Sequence, residues 1–424
     1  MEGNLAVVVL AAGRSTRFNS ARSKLLHSLC GKPMVQWAID ATLPLKPERI
    51  VVVYGPHNAE LIDQLTAAYP GKPLAFVEQD EPLGTGDALY RARDELSALA
   101  GSILVLPGDA ALLTANDLFA LIAKCPPDSH AVLTTVVDDP GEYGRIVRGA
   151  QGPQTCELIV EARDADEEQL EITEINTGVY MFRPGVFDQL DEARAKFKLD
   201  REKDQYYLTD IVRVAPTRAI LASGLPEPIG IDDRFKLALA EHELQWRLRE
   251  QWMAAGVTFH LPETSYLDCD VQLAPDVEIG PHCVLTNGTA IGAGTVLVQG
   301  CLLEACRIGA NCELRHVRGL QSVIEDDVQA GPYVNMRPGT VLRRGVKVGN
   351  FVETKNADVG AGSKLPHLQY IGDATLGERC NIGAGTIFCN YDGFSKLHTT
   401  LGPGVFVGSN SALQGGITIG EGAY

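Results

Sequence analysis

A glycine-containing turn with nearby positive charges follows the first apolar segment of the sequence. Residues 10–17 read LAAGRSTR, and Arg14, Arg17 and Lys24 place three cations close together. A tight turn after a buried strand directs backbone N–H groups at an anion, and adjacent cations neutralise phosphates. The pattern indicates a phosphate-binding turn, although a plain strand-to-helix turn with solvated cations has the same composition.

Carboxylates at two distant points of the chain are candidate ligands for a divalent cation. Asp109 follows an apolar run and a Pro-Gly pair, where a strand would deliver an oxygen ligand to a metal bound by phosphates. Asp232 or Asp233 could supply the second oxygen. The alternatives are turn capping by Asp109 and helix N-capping by Asp232 or Asp233.

Short β-branched or leucine-rich runs alternate with helical patterns in the first half of the sequence. This alternation predicts a mostly parallel sheet with helices on both faces. Ligands of such sheets bind beyond the carboxyl ends of the strands, where the turn at residues 10–17 and Asp109 would lie. The predicted strands are residues 5–11, 49–54, 74–77, 103–106 and 131–137, and the predicted helices are residues 34–41, 57–68 and 87–99.

The sequence changes character after one helical segment, residues 232–255. Of the 43 glycines, 17 lie in residues 1–255 and 26 in the remainder, which indicates two architectures in one chain. We therefore predict a first domain over residues 1–231, a connecting helix over residues 232–255 and a second domain over residues 256–424.

A six-residue repeat runs through the second domain. Aliphatic residues recur every six positions, which predicts a parallel β-helix, whereas a β-sandwich would alternate with period two. The repeat is interrupted near residues 315–321 and 389–400, where we expect binding loops. It is still running at Tyr424, so we expect either that the sequence is truncated there or that another subunit covers this end. The longest unbroken series is Leu267, Leu273, Ile279, Leu285, Ile291, Leu297 and Leu303.

Composition limits the class of protein. A chain of 424 residues with 54 acidic and 37 basic residues has a net charge of −17, which argues against nucleic acid as a partner. No signal peptide or apolar segment long enough for a bilayer is visible, so we expect a cytoplasmic protein without membrane insertion. The ten cysteines form no CxxC pair, as expected for reduced thiols.

Ten short motifs occur in order along the chain. They are LAAGRSTRF at 10–18, SKLLH at 23–27, LGTG at 83–86, YGRI at 143–146, IVE at 159–161, EINTG at 174–178, YYLTD at 206–210, NFVETK at 350–355, HLQY at 367–370 and NYDG at 390–393. Together they resemble the bifunctional N-acetylglucosamine-1-phosphate uridyltransferase and glucosamine-1-phosphate acetyltransferase family. The resemblance implies a Rossmann-like α/β nucleotidyltransferase domain followed by a left-handed parallel β-helix of hexapeptide repeats, and assembly as a homotrimer.

For the first domain, the resemblance implies uridylyl transfer from UTP to N-acetylglucosamine 1-phosphate. Arg17 and Lys24 would neutralise the UTP phosphates, and Asp109 and Asp232 would bind Mg²⁺. The family usually has Asn where Asp232 stands, so Asp keeps an oxygen ligand and adds a charge. The implied uracil-binding residues are Ala11, Ala12, Gly13, Gln79, Gly84 and Thr85, and the implied sugar-binding residues are Gly144, Glu161 and Asn176.

For the second domain, the resemblance implies acetyl transfer from acetyl-CoA to glucosamine 1-phosphate. His367 would be the general base and Glu353 would orient its ring. Asn390 is a candidate for contact with the sugar or with acetyl-CoA. The implied sugar phosphate ligands are Arg337, Lys355, Tyr370, Asn381 and Lys396, and the implied acetyl-CoA contacts are Tyr391 and Ser409.

Two other functions stay open on the sequence. One is a monofunctional sugar-1-phosphate nucleotidyltransferase whose β-helix only mediates trimerisation. The other is a catalytically silent scaffold, which the joint presence of Arg17, Lys24, Asp109 and Asp232 argues against.

Overall fold

The computed structural model describes residues 4–14, 16–97, 99, 101–149, 152, 154–197 and 205–424. The chain divides into two compact units, Met1–Glu243 and Leu244–Tyr424, and the division falls inside one long helix. Each unit has its own hydrophobic core. Within the described ranges, no helix combines the length and the apolar character needed to cross a membrane.

The first unit is an α/β fold around an open nine-stranded sheet, with a separate two-strand hairpin, as far as the described residues show. Its strands are β1 (Leu5–Ala11), β2 (Ser28–Leu29), β3 (Lys32–Pro33), β4 (Arg49–Tyr54), β5 (Leu74–Glu78), β6 (Ser102–Pro107), β7 (His130–Val136), β8 (Arg145–Arg148), β9 (Cys156–Val160), β10 (Glu174–Phe182) and β11 (Thr217–Leu221). The helices of the chain are α1 (Met34–Thr42), α2 (Glu60–Ala68), α3 (Thr85–Arg91), α4 (Arg93–Leu96), α5 (Ala115–Lys124), α6 (Glu167–Leu170), α7 (Val186–Phe197) and α8 (Arg234–Ala254).

The sheet is mostly parallel, as the sequence predicts. The strand order is β11-β7-β10-β6-β1-β4-β5, and β6, β1, β4 and β5 are mutually parallel. Val7, Val8 and Val9 of β1 are fully buried because both faces of the sheet are covered. Strand β10 is the exception to the parallel pattern, since it lies antiparallel between β6 and β7 and also pairs with β8 of the β8–β9 hairpin.

The second unit is a left-handed parallel β-helix. It has no helix other than its share of α8 and a short 3-10 turn among its residues, all of which are described. Its strands are β12 (Thr258–Phe259), β13 (Tyr266–Leu267), β14 (Gln272–Leu273), β15 (Glu278–Ile279), β16 (Val284–Thr286), β17 (Ala290–Ile291), β18 (Val296–Gln299), β19 (Leu302–Glu304), β20 (Arg307–Ile308), β21 (Glu313–Arg315), β22 (Val317–Leu320), β23 (Val323–Ile324), β24 (Gln329–Ala330), β25 (Val334–Met336), β26 (Val341–Leu342), β27 (Lys347–Val359), β28 (Lys364–Leu376), β29 (Asn381–Ile382), β30 (Ile387–Cys389), β31 (Thr399–Leu401), β32 (Phe406–Val407), β33 (Ala412–Gln414) and β34 (Thr418–Ile419).

Strand pairing gives the length of each coil. Leu267 pairs with Leu285, so one coil holds three six-residue faces, and the residues of the predicted hexad series are buried. The coil shortens at the first interruption, where Glu313 pairs with Gln329, so this interruption is a deletion and not the expected binding loop. It lengthens at the second, where Asn381 pairs with Phe406, because the loop after β30 is inserted there.

Candidate active sites

The carboxyl ends of β1, β5 and β6 form one wall of a cleft of about 400 Å³ in the first unit. The turn after β1 and the start of α3 contribute to it, as expected for a parallel sheet. Ten of the predicted site residues line this cleft: Ala11, Ala12, Gly13, Lys24, Gln79, Gly84, Thr85, Asp109, Glu161 and Asn176.

Lys24 and Asp109 form an ion pair inside the cleft. Lys24 lies on a short 3-10 helix that Ser23 caps by accepting from the backbone N–H of Leu25 at 3.3 Å. Its Nζ is 2.5 Å from Oδ2 of Asp109, and the two side chains are only 14% and 17% exposed. The structure therefore brings together a predicted phosphate ligand and a predicted metal ligand that are far apart in the sequence.

Arg17 and Asp232 form a second cluster and are not among the residues that line the cleft. Arg17 Nη2 is 2.9 Å from Oδ2 of Asp232, and Arg17 also pairs with Glu142. Lys236, which the sequence did not single out, lies 3.0 Å from Oδ1 of Asp232. Burial opposes the charge of Lys236, but the contact with Asp232 outweighs it and raises the pKa of the ammonium group.

Asp233, and not Asp232, is the N-cap of α8. The N-capping role that the sequence left open for either residue therefore belongs to Asp233. Asp233 Oδ1 accepts from the backbone N–H of Lys236 at 2.7 Å. Asp232 is thus free of the capping role, and its buried Oδ1 is contacted by the Lys236 ammonium group at 3.0 Å. A Cβ at Gly230, two residues earlier, would lie 3.9 Å from Oδ1 of Asp109.

A bulge in β10 shapes the part of the cleft predicted to bind the sugar. The pairing register shifts between Asn176 and Tyr180, and Gly178 within the bulge has φ +76°. A Cβ at Gly178 would lie 2.8 Å from Pro107, so the bulge requires glycine. Asn176 Nδ2 donates to Tyr180 Oη at 2.7 Å. Gly144 lies next to the bulge, where its carbonyl oxygen accepts from the backbone N–H of Asn176 at 2.8 Å.

The turn after β4 holds the predicted phosphate-binding turn, residues 10–17, through two side chains. Asn58, which is fully buried, donates from Nδ2 to the carbonyl of Ala11 at 2.7 Å, and Nε2 of His57 lies 3.1 Å from the carbonyl of Gly13. In a planar trans peptide the carbonyl and the N–H of the next residue point in opposite directions. Because the carbonyls of Ala11 and Gly13 point towards Asn58 and His57, the N–H groups that follow them point away from the turn after β4. The sequence analysis missed both residues.

In the second unit, Glu353 and Tyr370 occupy matching positions in adjacent coils. Glu353 pairs in register with Tyr370, and Lys355 pairs with Gly372. Arg337 Nη1 donates to Oε1 of Glu353 at 3.2 Å. These positions place four of the predicted sugar phosphate and base-orienting residues on one stretch of the β-helix surface.

Asp373 is a buried carboxylate that is linked through Asn390 to Tyr370 of this surface. It accepts from Nδ2 of Asn356 at 2.8 Å and from Nδ2 of Asn390, and Asn390 Nδ2 also lies 3.3 Å from Oη of Tyr370. Burial opposes ionisation of Asp373, but these hydrogen bonds and the nearby charges of two lysines outweigh it, so the pKa of the carboxyl group is lowered. Asp373 therefore stays ionised and acts only as an acceptor.

His367 lies apart from its predicted partner. It is exposed, pairs in register with Asn350 and lines a groove of about 570 Å³ together with Lys347 and Lys364. No hydrogen bond joins its ring to Glu353, although both residues lie in the part of the chain that the structure describes; Glu353 instead accepts from Arg337. Orientation of His367 by Glu353 thus stays a prediction.

The remaining predicted residues lie on the following coils. Asn381 pairs in register with Lys364 of the His367 groove. In the inserted loop, Lys396 Nζ lies 4.4 Å from the ring centroid of Tyr391. Ser409 lies in the next coil, where its backbone nitrogen would be 2.5 Å from a Cβ at Gly383.

Known proteins resemble the chain over its whole length. Residues 7–199 match the MobA-like NTP transferase domain family. Proteins named Bifunctional protein GlmU from Trichlorobacter lovleyi, Listeria innocua and Corynebacterium efficiens are each 40% identical to this chain. The alignments cover 99%, 98% and 100% of this chain and 91%, 91% and 88% of those proteins, respectively. The chain belongs to the GlmU family.

Membership of the GlmU family confirms the predicted fold and the predicted bifunctional enzyme. The chain is a uridyltransferase and an acetyltransferase, acting on a sugar phosphate with UTP and with acetyl-CoA. A monofunctional enzyme with a purely structural β-helix is not favoured, because the match to GlmU proteins runs through both units.

Proposed function

We propose that the first unit transfers a uridylyl group from UTP to N-acetylglucosamine 1-phosphate with Mg²⁺ as cofactor. The observation that carries this proposal is the Lys24–Asp109 pair at 2.5 Å in a cleft that ten predicted residues line. A phosphate oxygen of the sugar phosphate attacks the α-phosphorus of UTP, and the bond to the leaving pyrophosphate breaks. The attacking oxygen is already anionic, so no general base is required.

The residues that line the cleft, together with Arg17, Asp232 and Gly144, divide this work between substrate binding and charge neutralisation. Lys24 and Arg17 neutralise the phosphates, and Asp109 and Asp232 would hold Mg²⁺. Two carboxylates suit this ion, which takes its other ligands from phosphates and water, and Mg²⁺ would replace the positive charge of Lys236 that lies 3.0 Å from Oδ1 of Asp232. The bound ion would neutralise charge that develops on the phosphate oxygens. Glu161, Asn176 and Gly144 hold the sugar.

We further propose that the second unit acetylates glucosamine 1-phosphate, which supplies the substrate of the first. The amine nitrogen bonds to the thioester carbon, the carbon–sulfur bond breaks, and the amine proton leaves to Nε2 or Nδ1 of His367. Arg337, Lys355 and Lys396 would bind the phosphate. Tyr370, Asn381 and Asn390 would bind the sugar, and Tyr391 and Ser409 would lie near the thioester.

A homotrimer in the cytoplasm is the assembly that we propose. His367 lines one groove of the β-helix, whereas Glu353, Tyr370 and Asn390 are not among the residues that line it. Neighbouring copies packed side by side would bring such surfaces together around one substrate. Light scattering would test this against a subunit mass of 45.6 kDa.

Two assays on one preparation test both activities. We expect pyrophosphate release from UTP and N-acetylglucosamine 1-phosphate, and thiol release from acetyl-CoA and glucosamine 1-phosphate. Lys24→Ala should lower only the first activity, by about 10²- to 10³-fold. His367→Ala should lower only the second, by about 10²- to 10⁴-fold.

Matched controls are available in each unit. Lys72→Ala removes an exposed lysine from the first unit and His282→Ala an exposed histidine from an earlier coil, and both should leave the two activities unchanged. Pyrophosphate release that is equal in the Lys24→Ala and parent proteins would refute the proposed role of the cleft. Equal thiol release in the His367→Ala protein would remove His367 as the base.

A further inference from the structure

The side-chain amide of Gln79 has only one possible direction in the nucleotide cleft. Its Nε2 donates to Oδ2 of Asp87 at 2.8 Å and to the carbonyl of Gly84 at 3.1 Å. An amide nitrogen carries two hydrogens, so both are used. Gln79 is 5% exposed and lines the cleft, and its Oε1 has no donor recorded among the described residues. The group left for a ligand is therefore a hydrogen-bond acceptor.

Asp87 prevents this amide from turning over. A carboxylate and a carbonyl accept hydrogen bonds but do not donate them, so a reversed Gln79 would place Oε1 against two acceptors. The side chain of Asp87 is only 3% exposed, and Nε of Arg91 lies 3.4 Å from its Oδ2. Asp87 is thus a buried carboxyl group whose position fixes Gln79 and which the mechanism above does not use.

We propose that Asp87 makes this cleft selective for nucleobases that present an N–H donor to Gln79 over bases that present an acceptor there. Uracil carries a donor at N3, whereas cytosine carries a lone pair at the same position. Cytosine in the cleft would leave Oε1 of Gln79 facing another acceptor, which is the arrangement that hydrogen-bonding sites reject most strongly. The proposal rests on the proposed binding of UTP in this cleft. It makes Asp87 a positioning residue that acts through Gln79.

The variant Asp87→Asn tests the proposal by restoring a donor next to Gln79. The new amide can donate to Oε1 of a turned Gln79, which leaves only the Gly84 carbonyl to oppose the turn. Gln79 can then present its own NH₂ group to the cleft, where cytosine would accept from it. We expect the ratio of kcat/KM for UTP to that for CTP to fall roughly 10- to 100-fold. Equilibrium binding of UTP and of CTP with Mg²⁺, without sugar phosphate, should show the same fall. The circular dichroism spectrum and melting curve of the Asp87→Asn protein should match those of the parent and so report intact folding of the first unit.

Asp80→Asn is the matched control. Asp80 pairs with the same Arg91, at 2.9 Å, but has no recorded bond to Gln79, so its loss should leave the UTP to CTP ratio unchanged. An unchanged ratio in folded Asp87→Asn would overturn the proposal. Should Asp87→Asn fail to fold, Gln79→Leu deletes the acceptor directly, and the ratio must fall there too.

The outcome also separates this inference from the proposed function. A parent protein that binds UTP in preference to CTP but releases no pyrophosphate would refute uridylyl transfer and leave the selectivity standing. A parent protein that uses UTP and CTP equally well would refute the selectivity and leave nucleotidyl transfer standing.

Discussion

The two candidate sites of this protein differ in how far the residues of a single chain enclose each of them. In the first unit, ten predicted residues from distant parts of the sequence line a single cleft. In the second, His367 lies in one groove, and Glu353, which is held by Arg337, does not line that groove. A parallel α/β sheet gathers its loops at one edge, whereas a β-helix displays side chains on flat outer faces. Residues displayed in that way need a further surface to enclose a ligand.

The sites do not differ in the way they orient amides. Asp87 fixes Gln79 in the first unit, and Asp373 fixes Asn390 in the second, in each case by accepting from the amide nitrogen. Each carboxylate is buried, so it can fix the orientation of its amide partner whether or not the rest of the site is enclosed. The difference between the two sites therefore lies in their assembly and not in their local chemistry.

The largest expected effect is complementation between defective chains. His367→Ala and Lys355→Ala proteins should each lose acetyl transfer, by about 10²- to 10⁴-fold for the base. Co-expression with two different affinity tags should yield mixed oligomers in which one copy supplies His367 and another supplies Lys355. We expect thiol release well above that of either parent in the doubly purified fraction.

The first site should not behave in this way. Lys24→Ala and Asp109→Ala remove two ends of one ion pair within one cleft, so their mixed oligomers should stay as inactive in pyrophosphate release as the single variants. Recovery in this pair, or none in the His367 and Lys355 pair despite proven mixing, would contradict the difference drawn between the sites.

Asp373→Asn should have an intermediate effect. In the parent protein, Asn390 must turn its NH₂ group towards the carboxylate of Asp373. An asparagine at position 373 can donate as well as accept, so the side-chain amide of Asn390 loses this fixed orientation towards the ligand. Hydrogen bonds to charged groups are worth about 1.5–3 kcal/mol, so we expect roughly a 10- to 100-fold lower kcat/KM for glucosamine 1-phosphate. Steady-state thiol release measures this, and pyrophosphate release should not change.

The pH dependence of stability provides a second readout for Asp373. Its folded pKa is lowered, so the carboxylate stabilises the fold above its unfolded pKa, and this contribution is lost as the pH falls through the folded value. The melting temperatures of parent and Asp373→Asn proteins should therefore converge in acid. Asp327→Asn is the control, because Asp327 has the same left-handed conformation, at φ +61°, in an earlier coil. A constant difference would contradict the assignment.

Much of the fold is predictable because its constraints are local and periodic. Every sixth residue of the β-helix must fill a narrow interior, and alternating strands and helices require the parallel sheet. The antiparallel placement of β10 is not predictable in this way, since no periodicity in Glu174–Phe182 encodes its direction. The binding loop expected near residues 315–321 is likewise wrong, because a break in the repeat does not show whether residues are inserted or deleted.

Asp87 and Asp373, which orient the predicted residues Gln79 and Asn390, were missed for a different reason. Asn356, Asp373 and Asn390 are spaced by 17 residues, which is one coil at this height, so the coil length would have revealed this column. Gln79 and Asp87 have no such regular spacing. Their contact depends on how the loop before α3 folds, which composition and motif matching do not specify.

The smallest expected effect concerns the turn that supports the phosphate-binding turn. The ring of His57 can only donate to the carbonyl of Gly13, and a single exposed hydrogen bond contributes about 0.5–1.5 kcal/mol. His57→Phe should therefore raise the KM for UTP roughly 2- to 10-fold with little change in kcat, because the bond positions the turn equally before and during the reaction. His57→Gln keeps a donor and should restore the parent KM. A fall in kcat of the same size, or a loss of acetyl transfer, would show that His57 supports the fold as a whole and does not act on this turn alone.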